Sequence, residues 1–327
     1  MAERPKPTRQ MIELYDEYTH LTLDRRRFMD ALTRMAGGTA AAAAMVPLLE
    51  ANPAAAALVE PDDDRIVAED ITYPGASGEM KGYLVRPAGV TEDRPGVVVI
   101  HENRGLNGYI RDVARRLAVD GFIALAPDLL SPMGGTPEDS DEAREMIREL
   151  KGPAVRKDLR KTARYLARLK GCSGKVGAVG FCWGGRAALL LAVAYQQLDA
   201  AVAFYGRPLG AKAARRIKAP LMLHYAGLDE RVNRRIPKFE KALKEAGIEY
   251  QIFMYEGVNH AFHNDTSAAR YDQAAADLAW QRTVIFLAEK LELLPAEAPA
   301  TREEPAASEE ATDDSDKTPA RRKRKTK

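Results

Sequence analysis

Only two cysteines, Cys172 and Cys182, occur in 327 residues, which leaves neither a disulfide framework nor zinc-ligand cysteine spacing. A predicted strand of about six residues separates them, so at roughly 3.3 Å per residue they stand ~20 Å apart. A bridge needs Cα atoms within about 7 Å, and two free thiols are expected. Charge of one sign is missing too. With 49 basic and 47 acidic residues the net charge is +2, from which neither a nucleic-acid nor a membrane partner follows. Long apolar runs are also absent: the weakly apolar span Met35 to Leu49 is too short for a membrane helix, which needs about 20 residues. After Leu294 no large apolar residue remains. The tail, residues 293–327, cannot bury a core and is expected to be disordered, with its basic run Arg321 to Lys325 offset by the acidic stretch before it.

What is present begins with a leader, residues 1–57. Asp24-Arg25-Arg26-Arg27-Phe28-Met29 precedes the alanine-rich span, and small residues follow from Ala51 to Ala57. This pattern predicts a twin-arginine export signal, cleavage near Ala56 or Ala57 and a periplasmic protein. Arg34 interrupts the apolar flank, and the stretch before the arginines is long. The competing reading is an alanine-rich amphipathic helix on a cytoplasmic protein.

From Asp64 to Lys290 strands and helices alternate. The strands are read at Ile66 to Tyr73, Met80 to Arg86, Gly96 to His101, Phe122 to Ala126, Val176 to Phe181, Ala200 to Tyr205, Leu221 to Tyr225 and Tyr250 to Tyr255. Helices are read at Gly108 to Asp120, Ser140 to Leu150, Ala154 to Leu169, Gly185 to Gln196, Arg234 to Ala246 and Ala268 to Glu289. Such alternation predicts one α/β domain, residues 58–292, with a mostly parallel sheet of about eight strands covered by helices on both faces.

The stretch that organises this domain is Lys175 to Ala194. A short apolar strand, Val176 to Phe181, leads into Gly180-Phe181-Cys182-Trp183-Gly184, and an apolar helix follows from Arg186. Glycines on both sides of one nucleophilic side chain make a strand-to-helix elbow. At a helix N-terminus the macrodipole favours the thiolate, and the backbone N–H of Trp183 faces the place where an oxyanion forms. The plainer alternative is a structural cysteine buried beside packing glycines.

Ligands of parallel α/β sheets bind beyond the carboxyl ends of the strands. Two ionisable residues stand there downstream of Cys182: Asp229 after Leu221 to Tyr225, and His260 after Tyr250 to Tyr255. Nucleophile, acid, histidine is the chain order of an α/β-hydrolase triad. His260 then moves protons, and Asp229 fixes its tautomer. Glu230 and His263 are the rivals, less well placed after their strands. Upstream, Glu102 ends the strand Val97 to His101. There the N–H of Asn103 is a candidate second oxyanion donor, and Glu102 itself can act on the Cys182 proton.

Four motifs, His101-Glu102-Asn103-x-Gly105, Gly180-Phe181-Cys182-Trp183-Gly184-Gly185, Gly227-x-Asp229 and Gly257-x-x-His260-x-Phe262, give the chain a resemblance to the dienelactone hydrolases (carboxymethylenebutenolidases) of the α/β-hydrolase superfamily. The resemblance spans about Ile66 to Lys290. It implies a triad of Cys182, Asp229 and His260, with Glu102 holding the resting thiol and receiving its proton, and a thioester on Cys182 without metal or organic cofactor. One departure concerns the substrate. Where members that act on dienelactone have a carboxylate-gripping arginine shortly after the histidine, this chain has His263, Asn264 and Asp265; Arg104, Arg144 and Arg148 are the substitutes to consider.

The expected partner is a small ester or lactone, and the expected activity is its cysteine-dependent hydrolysis. A general carboxylesterase or thioesterase on the same triad is the nearest alternative. A thiol sensor or binding protein without catalysis is the distant one.

Overall fold

The computed structural model describes residues 6–20, 23–52 and 57–293. The tail expected to be disordered lies outside them from residue 294 on, as does Ala56, one of the two candidate cleavage residues.

Eight strands form one sheet: β1 (Ile66–Pro74), β2 (Glu79–Pro87), β3 (Arg94–Ile100), β4 (Ile123–Pro127), β5 (Cys172–Phe181), β6 (Ala200–Phe204), β7 (Leu221–Ala226) and β8 (Tyr250–Tyr255). Their order is β1-β2-β4-β3-β5-β6-β7-β8. Only β2 runs against the rest, pairing antiparallel with β1 and β4, so the sheet is parallel from β4 to β8. The unbroken apolar runs have a simple cause. Successive side chains point to opposite faces, and here both faces are covered. Val98 and Ile100 of β3 join Val176 and Ala178 of β5 in the core on one face. Val97 and Val99 join Val179 and Phe181 on the other.

The helices, numbered in chain order, are α1 (Arg9–Thr19), α2 (Arg25–Ala36), α3 (Thr39–Leu49), α4 (Gly108–Val119), α5 (Ser140–Glu149), α6 (Gly152–Ala167), α7 (Trp183–Ala194), the single turns α8 (Ala211–Ala214) and α9 (Glu230–Asn233), α10 (Ile236–Glu245) and α11 (Gln273–Lys290). Leu159 and Leu166 of α6, Leu189 of α7 and Phe239 of α10 seal the first face. Val113 and Leu117 of α4 and Phe286 of α11 seal the second.

Two boundaries differ by four residues or more from the sequence reading, for local reasons, and the others by no more than two. Strand β5 starts at Cys172, four residues earlier than expected, because Arg94 pairs with Cys172 before an irregularity in the register. The two cysteines therefore stand at opposite ends of a ten-residue strand, and both are free. Helix α11 starts at Gln273 rather than Ala268, with the Asp272 carboxylate accepting from the Ala275 N–H as its cap.

Helices α1 to α3 carry a small core of their own, in which Met11, Tyr15, Tyr18, Phe28, Leu32 and Leu49 are buried and the Tyr18 and Phe28 rings stack at 4.6 Å. Thr8 and Asp24 cap α1 and α2 through their side chains. Among the described residues no single helix is long and apolar enough to cross a membrane, although α2 and α3 together pass by length and composition and are bent by 111°. The segment meets the α/β domain through polar groups. The Tyr18 hydroxyl donates to Asp141 at 2.5 Å, Arg144 donates to the Tyr18 carbonyl at 2.9 Å, and Arg270 pairs with Asp16 at 3.1 Å.

Candidate active site

The elbow is as tight as the sequence requires. Cys182 is the N-cap of α7 at φ 53°, in the left-handed region that a side chain rarely adopts, and its N–H donates to the Phe204 carbonyl at 3.0 Å. The turn closes only because its neighbours lack a Cβ. One placed on Gly180 would collide with the Gly184 carbonyl, and one on Gly184 with the carbonyls of Ile100 and His101. Helix α7 is thereby pressed against the end of β3, and Cys182 and Glu102 line the same cleft. Trp183 opens α7, so its N–H is among the N-terminal donors that have no acceptor within the helix.

Asp229 follows β7 and caps α9, one carboxylate oxygen accepting from the Val232 N–H at 3.1 Å. Its other oxygen lies 2.5 Å from His260 Nδ1. Burial works against a proton on His260, but the Asp229 charge and then the Cys182 sulfur outweigh it and raise the imidazole to about 10. For Asp229 burial acts upward and the facing imidazole, prevailing, lowers it. The two rivals stand differently. Glu230 is exposed, and His263 is turned away, its Nδ1 2.7 Å from the Tyr109 hydroxyl.

Glu102 is buried and accepts from Asn264 Nδ2 at 2.8 Å. Burial raises its carboxyl above the ordinary value. His101 holds the turn beneath it. Its Nε2 accepts from the Leu129 N–H, so its Nδ1 carries the hydrogen and donates to the Glu102 carbonyl at 2.7 Å. Asn103 uses its side-chain amide to reach the Thr19 carbonyl at 2.5 Å.

Three residues escaped the sequence reading. Besides Asn264 there is Arg270, which lines the cleft with its charge held by Asp16. The third is His20, at the C-terminal end of α1. Its Nε2 stands 3.4 Å from Cys182 Sγ and 3.1 Å from His260 Nε2. A signal for it existed: Met11, Ile12, Tyr15 and Tyr18 recur at helical spacing and make an amphipathic helix that ends beside His20. Of the arginines weighed for a carboxylate clamp, Arg104 lines the cleft but is paired with Asp141 at 2.8 Å. Arg144 lies 4.0 Å over the Tyr18 ring and Arg148 pairs with Glu145.

The cleft enclosed by these groups measures about 680 Å³, and Glu102, Cys182, His260, Arg104, Arg270 and His20 all face it. A thiol at the elbow, an acid–histidine pair and a buried carboxylate thus converge at the carboxyl end of a parallel sheet. Residues 80–291 match the dienelactone hydrolase family. The chain belongs to that family. A protein of Escherichia coli (strain K12) that bears the name carboxymethylenebutenolidase is 32% identical over 246 residues, 71% of this chain and 90% of that one. A Bradyrhizobium protein named as a 2-oxo-3-(5-oxofuran-2-ylidene)propanoate lactonase is 32% identical over 238 residues, covering 68% and 94%. Among solved structures, a dienelactone hydrolase from Klebsiella pneumoniae superposes with a TM-score of 0.63 at 30% identity, covering 68% of this chain and 99% of its own. As a dienelactone hydrolase family member with the α/β-hydrolase fold, the chain is a hydrolase acting on carboxylic ester bonds. Glu102, Cys182, Asp229 and His260 lie inside the matched span; His20 and all of α1 to α3 lie outside it.

Proposed function

We propose that the protein hydrolyses small lactones or esters through a thioester on Cys182. The observation that carries this reading is the His260 ring, held by Asp229 at 2.5 Å with its other nitrogen turned to the Cys182 sulfur. When substrate enters, Glu102 takes the thiol proton and the sulfur attacks the carbonyl carbon. The N–H groups of Trp183 and Asn103 receive the negative oxygen. The C–O bond breaks, and His260 hands its proton to the leaving alkoxide. Water then gives a proton to His260 and attacks the thioester, releasing the carboxylic acid and the Cys182 thiolate, to which Glu102 returns its proton. Ester and water become acid and alcohol, with every proton returned.

The test is initial rates on a chromogenic acetate ester and a panel of lactones with and without a carboxylate. Cys182→Ala is expected to lower kcat/KM by at least about 10³-fold, and equal rates in both proteins would remove the nucleophile. Glu102→Gln is expected to slow acylation and to abolish the acid limb of the pH profile. That limb sits above the ordinary carboxylate range because burial raises Glu102.

For location, we propose export directed by Arg25 to Arg27. The support is the order of arginines, weakly apolar span and small residues. Fractionated cells should hold the protein in the periplasm for the wild type and in the cytoplasm when the three arginines become lysines; a cytoplasmic product in both defeats the idea.

A further inference from the structure

Three electron-pair donors meet above the elbow: Cys182 Sγ, His260 Nε2 and His20 Nε2, all within 4.8 Å of one another. The hydrogen-bond partners behind the two imidazoles decide what those nitrogens present. His20 Nδ1 lies 2.6 Å from the Asp16 carbonyl, which can only accept, so that nitrogen carries the hydrogen. His260 Nδ1 faces the Asp229 carboxylate at 2.5 Å and carries its hydrogen for the same reason. In the neutral rings both Nε2 atoms are therefore lone pairs, turned toward each other across 3.1 Å with the sulfur 3.4 Å from one of them. The thiol hydrogen and a proton on His260 can fill these contacts one by one, whereas a single cation between the three atoms fills them together.

We propose that Cys182, His260 and His20 form a binding site for a thiophilic divalent cation of the zinc class, which locks the nucleophile and fastens the N-terminal helices to the catalytic domain. The spacing fits. Zn–N bonds of about 2.0–2.1 Å and a Zn–S bond of about 2.3 Å around a tetrahedral ion put nitrogen ~3.3 Å from nitrogen and ~3.6 Å from sulfur. The observed 3.1 Å and 3.4 Å lie near those values, and the third pair, Cys182 Sγ and His260 Nε2, lies within 4.8 Å. The groups behind the ligands fit as well. One imidazole is backed by a carboxylate and the other by a main-chain carbonyl, the two supports that metal-bound histidines use. Three protein ligands leave a fourth position, and the cleft beside them has room for water there. A cation so held occupies the lone pair with which the sulfur attacks a carbonyl. It also ties α1 to β5 and β8 through ligands from all three neighbourhoods. The site needs deprotonated ligands, so binding releases protons and weakens as the pH falls.

Cobalt(II) is the probe, added to the full-length protein, because its thiolate-to-metal absorption in the near ultraviolet and its intense visible bands report sulfur ligation and four-coordination directly. The wild type should show both, saturating at one cobalt per chain, with zinc as competitor. His20→Ala and the more conservative His20→Gln should each weaken cobalt binding by more than the 10–100-fold that follows loss of a group behind a ligand. Cys182→Ala should abolish the near-ultraviolet band. No thiolate band at stoichiometric cobalt overturns the proposal, and so does equal affinity in wild type and both His20 variants. The readout is spectroscopic and independent of turnover, so a cysteine that proves not to be the nucleophile leaves it standing.

Discussion

The α/β domain and the N-terminal helices meet at one cleft but are held by different forces. Val97 to Ile100 of β3 are wholly buried and packed on both faces, and apolar burial of that kind, at ~25 cal/mol per Å², is indifferent to salt. Helices α1 to α3 have a small aromatic core, and what binds them to the sheet is a set of ion pairs and polar contacts around Asp141, Arg144 and Arg270. Arg25, paired with Asp141, is mostly exposed, and such a pair contributes at most about 1 kcal/mol. Cys182, Asp229 and His260 thus stand on the part of the molecule packed by that burial. His20 reaches the same sulfur from the part that opens first. The difference implies that the chemistry survives movement of the helices, while the second histidine, and any cation it shares, does not.

The largest expected effect tests the rigid side. Asp229→Asn should lower kcat by about 10²- to 10⁴-fold, since the imidazole loses the group that fixes its tautomer. The pH profile gives the sign. Asp229 is the leading charge that lifts His260 from 6.5 to about 10. Without it burial acts unopposed by that charge, the imidazole loses its proton at lower pH, and the alkaline limb of kcat/KM moves down. An alkaline limb that stays in place would mean that His260 does not carry the catalytic proton.

Next in size is a change in packing. Gly184→Ala sets a methyl group against the carbonyls of Ile100 and His101 and should cost about 1–3 kcal/mol of global stability. At roughly 2–4 °C per kcal/mol for a domain of this size, thermal unfolding will register it. Amide exchange should rise in β3, β5 and α7 together. Exchange confined to α1 to α3 would reverse the assignment of which part is rigid.

These two regions also differ in what the sequence disclosed. Strands such as Leu221–Ala226 could be placed from the sequence because each is a short apolar run bounded by turn residues, and a buried parallel sheet demands nothing subtler. Glu102, Cys182, Asp229 and His260 were findable because the fold puts its chemistry at strand ends, so position along the chain stands in for position in space. His20 had no such proxy. It lies 162 residues from the sulfur it touches, at the end of a helix whose neighbours, Arg25 to Arg27 and the alanines beyond, direct attention to export. Arg270 was hidden similarly. Ten residues beyond His260, its place in the cleft depends on the turns of 261–271, which have no periodicity to read. Local pattern specified the elements, whereas contacts between a helix end and a loop are specified only by the packed structure.

The smallest expected effect probes the seam itself. Asp141 accepts from the Tyr18 hydroxyl and pairs with both Arg25 and Arg104, so Asp141→Asn weakens two contacts between the helices and the domain at once, along with one pair inside the domain. A loss on the order of 1 kcal/mol, about fivefold, should appear as faster amide exchange in α1 and α2, with the sheet unchanged. Acid should act in the same direction. Burial raises the Asp141 carboxyl, but Tyr18 and Arg104 prevail and lower it below 3.8, so the contribution is present above that value and is lost as the pH falls through the depressed one. Exchange rising equally in the helices and in β3 would show that the two regions open as one unit, and His20 would then belong to the rigid site with the other four.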